Sequence, residues 1–260
     1  MRLKSRSQVM GLGYKTGSLQ QFITLPRSHV CLKPTSISLE EAATISHRYT
    51  AIMVALLFKD GLDLPLEPTE EDKKKGVIVW GAASGSGMFA VQILKALGYQ
   101  TILAVASPKQ HAKLLKFGAT EVFDRTDADL ASKIQPKYPK LHLGLVAQID
   151  PAGWQTMLDI LKSTPEHPKT SVTIIHIIRR VPPSVPPEVT LKRTVAFVIV
   201  TDPKGDLVIA KYLPKLLSAP NFAVPKEVQV VSEGSLLERV KSSLKIAGEN
   251  TEVSLAIKVN

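Results

Sequence analysis

The sequence predicts an α/β fold organised around a doubly wound parallel sheet, and three observations lead there. From Gly76 onward, short apolar runs alternate with amphipathic stretches, the pattern of repeated strand and helix units. One run, VIVW at residues 77–80, passes directly into the glycine- and serine-rich turn GAASGSG and then into an apolar helix. The chain is also long enough, at 260 residues with 44% apolar side chains, to bury a full core.

The elements follow in order from periodicity and punctuation. At the head, residues 19–25 read as an extended segment, 26–34 as a connection, and 38–58 as one or two apolar helices with Glu40 and Glu41 in the first turn. Residues 60–75 form an acidic, proline-containing linker. Strands are expected at 77–80, 101–105, 121–123, 143–147 and 172–178. Between them, 88–97 is a helix stopped by Gly98, and 109–117 is a helix capped by Ser107, started by Pro108 and closed by Gly118. Shorter helical patterns cover 130–134 and 154–161. The proline-rich stretch 181–190 reads as a loop leading into a strand at 194–200. Residues 207–217 and 236–246 are then helical, with extended segments at 228–231 and 253–259.

Composition narrows the function classes. Thirty-three Lys and Arg against 23 Asp and Glu leave a formal charge of +10, which favours anionic partners such as nucleotide phosphates. Aromatics are only 5% and no basic run is interleaved with them, so the stacking surface of a nucleic-acid binder is not expected. No stretch approaches the roughly 20 apolar residues that span a bilayer, and the first residues lack the apolar block of a secretory signal. A cytoplasmic protein without a membrane partner is the expectation. The single cysteine, Cys31, excludes an internal disulfide and reads as a buried thiol. His29, His142, His167 and His176 show no metal-ligand spacing, so no metal site is expected.

The chemistry points to the turn after residue 80. Gly81, Gly85 and Gly87 let the backbone approach a pyrophosphate, with Ala82, Ser84 and Ser86 between them, and the amides opening the next helix supply donors and a favourable dipole. The spacing is not the strict GxGxxG form, and a purely structural turn is the alternative. Some twenty residues on, where an NAD-specific site places an acid for the ribose hydroxyls, the chain has LAVASPKQHAK. Ser107, Lys109 and His111 supply a hydroxyl and positive charge there, which favours NADP(H). The alternative is that Ser107 is only a helix cap and Lys109 only a solvated side chain.

On these stretches the chain resembles medium-chain dehydrogenase/reductases of the zinc-free quinone-reductase and fungal trans-enoyl-reductase branch. The matching segments are GSLQQFITLPRSHVCLKP with SLEEAAT, VIVWGAASGSG, and ASPKQHAKLLKFGATEVFD, followed by a helix and a terminal strand; the match is poorest between Pro136 and Thr194. The resemblance implies a Rossmann-type cofactor domain beside a GroES-like β domain, of which residues 1–37 are expected to be a remnant. Residues 38–230 would be the NADP-binding domain, and 231–260 a helix and strand returning to the other side. It also places Thr50, in ATISHRYTA, close to the nicotinamide, and makes Tyr49 and His47 candidate proton donors, with packing or helix surface as the alternative for each. Branch members are monomers or homodimers acting on small-molecule or acyl-thioester substrates.

Two readings of function follow. One is an NADPH-dependent reductase of an activated C=C bond or quinone. The other is a catalytically impaired relative that binds nucleotide as a sensor or serves as an interaction protein. A zinc-type alcohol dehydrogenase is disfavoured, because the sequence has neither a cysteine cluster nor a plausible histidine ligand.

Overall fold

The structure, a computed structural model, describes residues 7–11, 22–149, 151–166, 171–177, 184–194, 196–219, 222–249 and 253–259, with only the backbone of 46, 47, 196 and 197. The described elements begin with β1 (Val9–Gly11), β2 (Val30–Leu32), α1 (Leu39–Leu57) and α2 (Glu70–Lys74). There follow β3 (Val77–Trp80), α3 (Gly85–Ala96), β4 (Ile102–Ala106), α4 (His111–Phe117), β5 (Glu121–Asp124), α5 (Leu130–Lys137), β6 (Leu143–Val146), α6 (Pro151–Leu161), β7 (Val172–His176) and β8 (Val189–Arg193). The chain closes with α7 (Pro203–Leu207), α8 (Leu213–Leu217), β9 (Glu227–Val231), α9 (Leu236–Glu249) and β10 (Val253–Ile257). It divides into two compact units, one holding Ala51–Ala196 and the other the residues before and after.

The Ala51–Ala196 unit is a six-stranded parallel sheet in the order β5-β4-β3-β6-β7-β8. Strands β3, β4 and β6 are buried throughout, as their unbroken apolar sequences require of strands covered on both faces. Side chains alternate. Ile78, Trp80, Leu103 and Val105 pack with Leu130 and Ile134 of α5 and with Trp154, Met157 and Leu161 of α6. Helix α3 is absent from that cluster and packs on β3 and β4, covering the opposite face. This is the doubly wound, Rossmann-like arrangement the sequence predicts. Strand order reverses between β3 and β6, and the crevice beyond their carboxyl ends is where such sheets hold ligands.

Three expectations in this unit are corrected. The strand expected at 194–200 is a 3-10 helix, Ala196–Val200, and the edge strand is β8, which begins in the last two residues of the expected loop. Its polar residues Thr190 and Lys192 hid it, yet parallel pairing of Val189 to Arg193 with β7 recruits it. The linker contains α2, begun by a capping box in which Thr69 and Asp72 exchange side-chain to backbone bonds. Ser107 stands at the start of the helical turn Pro108–Gln110 but makes no side-chain cap bond.

Edge strand β8 also closes the end of α1. Lys192 Nζ donates to the carbonyls of Lys59 (3.0 Å) and Gly61 (2.9 Å), just past the helix. These carbonyls have no helical donors, so the ammonium serves as their cap. Lys192→Met is expected to lower stability by about 1 kcal/mol, read as a shift of the urea midpoint without a change of slope.

In the other unit β1 pairs antiparallel with β2, and β9 parallel with β10 through α9. The segment expected as a connection therefore contains a 3-10 turn, Arg27–His29, and strand β2. Residues 22–25 pair in no strand; 19–21 lie outside the described residues. A reciprocal box starts α1, with Glu41 N donating to Ser38 Oγ (3.0 Å) and Ser38 N to Glu41 Oε2 (2.7 Å). Arg48 donates to Ser254 Oγ (2.6 Å) and ties α1 to β10. The expected helix at 207–217 is interrupted: Val208–Tyr212 forms a wide π turn before Pro214, which has no N–H to donate and whose ring crowds the preceding turn.

Cys31 is buried as expected, and burial pushes its thiol from 9.0 up to about 11 against the opposing charge of Arg27. The folded thiol is the weaker acid, so this group favours the folded state below pH 9 and ceases to as pH rises through about 11. At pH 8 the native thiol is expected to react with a disulfide reagent on the order of 100-fold more slowly than the urea-unfolded thiol.

Candidate cofactor site

The site is built where β3 ends. Gly81 leaves the strand with φ +73°, in the left-handed region, and a Cβ there would run into the backbone of Gln148, just beyond β6. Ala147 N donates to Trp80 O (3.0 Å), which brings the two strand ends together at the point of reversal. Gly81 N and Ala82 N both donate to Val105 O (3.1 Å each), joining the turn to β4 on its other side. Gly87 packs so closely under the turn that a Cβ would strike Gly81 O and Ala82. Glycine is therefore required at 81 by conformation and at 87 by contact, the two roles that a nucleotide-binding turn assigns to its first and last glycines.

Ser84 caps α3, its Oγ accepting from Gly87 N at 3.0 Å, and Ser84 N donates to Gly81 O (2.9 Å). Gly85 and Ser86, the first two residues of a 12-residue helix, carry amides that no acceptor within the helix can reach. They open at the positive end of the helix dipole, so the donors and the field both suit a pyrophosphate.

At the carboxyl end of β4 stands the second half of the candidate site. Ser107 follows the strand, Lys109 lies on the exposed turn Pro108–Gln110, and His111 opens α4 with Nε2 3.2 Å from Ala106 O. Arg125, just after β5, brings Nε to 3.3 Å from Ser107 Oγ. The sequence reading passed over Arg125; the signal available was its place one residue beyond the third strand. The neighbouring carboxylate, Asp124, is held below its usual range by Thr126, whose backbone N–H and hydroxyl both bind it, with the charge of His111 adding to the effect.

The remaining sequence candidates lie on α1. Tyr49 is 1% exposed, its hydroxyl has no hydrogen-bond partner among the described residues, and burial drives its pKa well above the usual phenol range, with the neighbouring Cys31 second. Thr50 is buried and ends its compact unit, and His47 has only its backbone described. The structure thus brings Gly81, Ala82, Ser84, Gly85, Ser86 and Gly87 together with Ser107 and His111 around the ends of β3 and β4, and Tyr49 and Thr50 belong to the other unit. Of the histidines set aside in the sequence, His142 meets Lys140 O at 2.8 Å and His176 lies edge-on to Trp154 at 6.1 Å; His167 lies outside the described residues. Among the described residues no group of three or more His, Cys, Asp or Glu is placed to hold a metal, and no helix is long and apolar enough to cross a membrane.

Comparison with known proteins agrees with this geometry. Residues 85–165 match the family described as "Zinc-binding dehydrogenase". The trans-enoyl reductase tazE of Aspergillus terreus is 37% identical over 152 residues, covering 57% of this chain and 48% of that protein. The trans-enoyl reductase tndF of Aspergillus flavipes is 33% identical over 151 residues, 57% of this chain and 43% of its own. The chain thus spans about half the length of these curated relatives. Among solved structures, the Escherichia coli quinone oxidoreductase complexed with NADPH superposes with a TM-score of 0.70 at 17% identity, covering 99% of this chain and 76% of that one. Residues 85–165 thus match the zinc-binding dehydrogenase family, and the sheet and turn just described have the fold of the quinone oxidoreductase structure.

Proposed function

We propose that the protein is an NADPH-dependent, zinc-independent oxidoreductase that reduces an activated C=C bond or a quinone, on a small-molecule or acyl-thioester substrate, as a monomer or homodimer. The observation that carries this reading is the pairing, across β3 and β4, of a glycine turn opening a long helix with a crest of hydroxyl and cationic donors at Ser107 and Lys109. The names of the relatives, trans-enoyl reductase and quinone oxidoreductase, support it. The single cysteine supports zinc independence.

The residues divide the work. The amides of Gly85 and Ser86 would hold the pyrophosphate, with Gly81, Ala82, Ser84 and Gly87 shaping the turn. Ser107, Lys109 and His111 would hold the 2′-phosphate. When bound, NADPH supplies the hydride. Reduction of a C=C bond then needs one proton at the second carbon; Tyr49 or His47 is the proposed donor, and Thr50 a proposed cofactor-binding residue.

The deep burial of Tyr49 favours a second reading, nucleotide binding without turnover, as a sensor or interaction protein. Titration with NADPH and NADH, followed by nicotinamide fluorescence, and then an enone and quinone panel monitored by NADPH oxidation with and without a chelator, separates the two. Oxidation that survives chelation supports the reductase; tight NADPH binding with no oxidation across the panel supports the sensor. If neither nucleotide binds, both readings fail.

A further inference from the structure

Arg48 stands on α1 where the helix meets β10. It is half-buried, and one arm of its guanidinium donates to Ser254 Oγ at 2.6 Å. Ser254 is 2% exposed, so this end of the arginine is sealed in protein. Among the described residues the rest of the N–H fork meets no acceptor and no carboxylate. Burial lowers the pKa of the guanidinium below its ordinary value, and no neighbouring charge among the described residues acts on it. A cation partly withdrawn from water without a counter-ion costs stability, and a bound anion would offset that cost.

The acid on the same face of α1 is engaged elsewhere. Glu41 lies about two turns before Arg48, and its Oε2 accepts from Ser38 N (2.7 Å) in the box that starts the helix. On the strand side, Ser254 accepts from Arg48, and its own proton has no acceptor among the described residues. Ala256, two residues on, shares that face of β10 and is buried with it, so the wall beside the hydroxyl is apolar. Helix α9 packs on β10 and buries one residue, Ser243, whose hydroxyl also has no partner among the described residues. The junction of α1 and β10 is thus furnished with donors and lacks an acceptor. A planar cationic fork beside a hydroxyl donor matches the two oxygens of a carboxylate. Its single positive charge balances the single negative charge of that group, whereas a phosphate monoester carries nearly two.

We infer that Arg48, braced by Ser254, forms a binding subsite for the carboxylate of a small organic acid with a short apolar tail. Both residues belong to the compact unit that holds the two ends of the chain, apart from the glycine turn. The subsite therefore stands or falls independently of nucleotide binding.

Saturation-transfer NMR with trans-2-hexenoate and its neutral isostere trans-2-hexenamide, without nucleotide and with inorganic phosphate as competitor, tests this in wild type, Arg48→Gln and Ser254→Ala. The wild type is expected to bind the acid at least about 10-fold more tightly than the amide, and Arg48→Gln to abolish that preference. Ser254→Ala keeps the charge and removes the brace, so it should weaken the acid by about 3-fold. Phenylglyoxal labelling of the wild type, read by peptide mass spectrometry, reports the same contact without a variant. There the acid should slow labelling of Arg48 at least about 5-fold and that of the exposed Arg193 less than about 2-fold. Equal affinity for acid and amide, or labelling of Arg48 unchanged by the acid, overturns the inference and leaves Arg48 a strut between α1 and β10. An acid preference that survives in folded Arg48→Gln places the carboxylate elsewhere and overturns it as well. Phosphate that binds more tightly than the acid overturns the choice of a carboxylate.

Discussion

Gly81→Val is expected to lower the stability of the protein by about 3 kcal/mol and to abolish nucleotide binding. Two penalties add. A β-branched residue at φ +73° is strained by at least the roughly 1–2 kcal/mol that an L-residue incurs in the left-handed region. Its Cβ also overlaps the backbone of Gln148, which cannot move without parting the turn from β6. Relief by rotating Gly81 would break its bond to Val105 O (3.1 Å) and tilt the start of α3, so the amides of Gly85 and Ser86 would no longer converge. Urea unfolding followed by the fluorescence of Trp80 and Trp154, both buried, measures the first effect, and NADPH titration at low urea the second. A variant with wild-type stability would mean that the turn tolerates another backbone path.

Lys109→Glu is expected to weaken NADPH binding about 100-fold and to change NADH binding less than about 3-fold, reversing the preference between them. The substitution replaces the cation proposed to face the 2′-phosphate, a group of nearly two negative charges, with an anion, so a lost attraction is followed by a new repulsion. NADH has a hydroxyl there, and the introduced carboxylate would offer it the acceptor that NAD-specific sites place at the end of this strand. The effect should shrink as salt rises, because the turn is exposed and screening is strong beyond about 10 Å at 0.1 M. Equal loss of NADPH and NADH would point to a disturbed turn instead of a lost phosphate contact. Equilibrium binding measured at two salt concentrations distinguishes these outcomes.

The sheet was legible where burial left little choice. VIVW, ILAVA and LGLV are apolar throughout because both faces of those strands are covered, and the expected and observed strands agree to within one residue at each end. Helix α4 was legible from its closing glycine, which takes φ +110° as a left-handed C-cap must. Strand β8 was not, because an edge strand can be half polar and its identity comes from its partner, β7. The unwound stretch at 208–212 was hidden for a different reason: its apolar period is helical, and only Pro214 marks the fault.

The candidate cofactor site divides along the same line. The sequence by itself determined the strand, the glycine turn, the helix after it and the basic crest at Ser107 and Lys109, because each is a local pattern of side-chain size, charge and backbone freedom over a few consecutive residues. Only the tertiary structure decided that Gly81 abuts Gln148, that Arg125 reaches Ser107, and that Tyr49 is sealed from solvent. Those facts depend on sheet register and on packing between residues far apart in the chain. No local pattern encodes them, because the energy that selects them is shared among all the strands and helices that meet there.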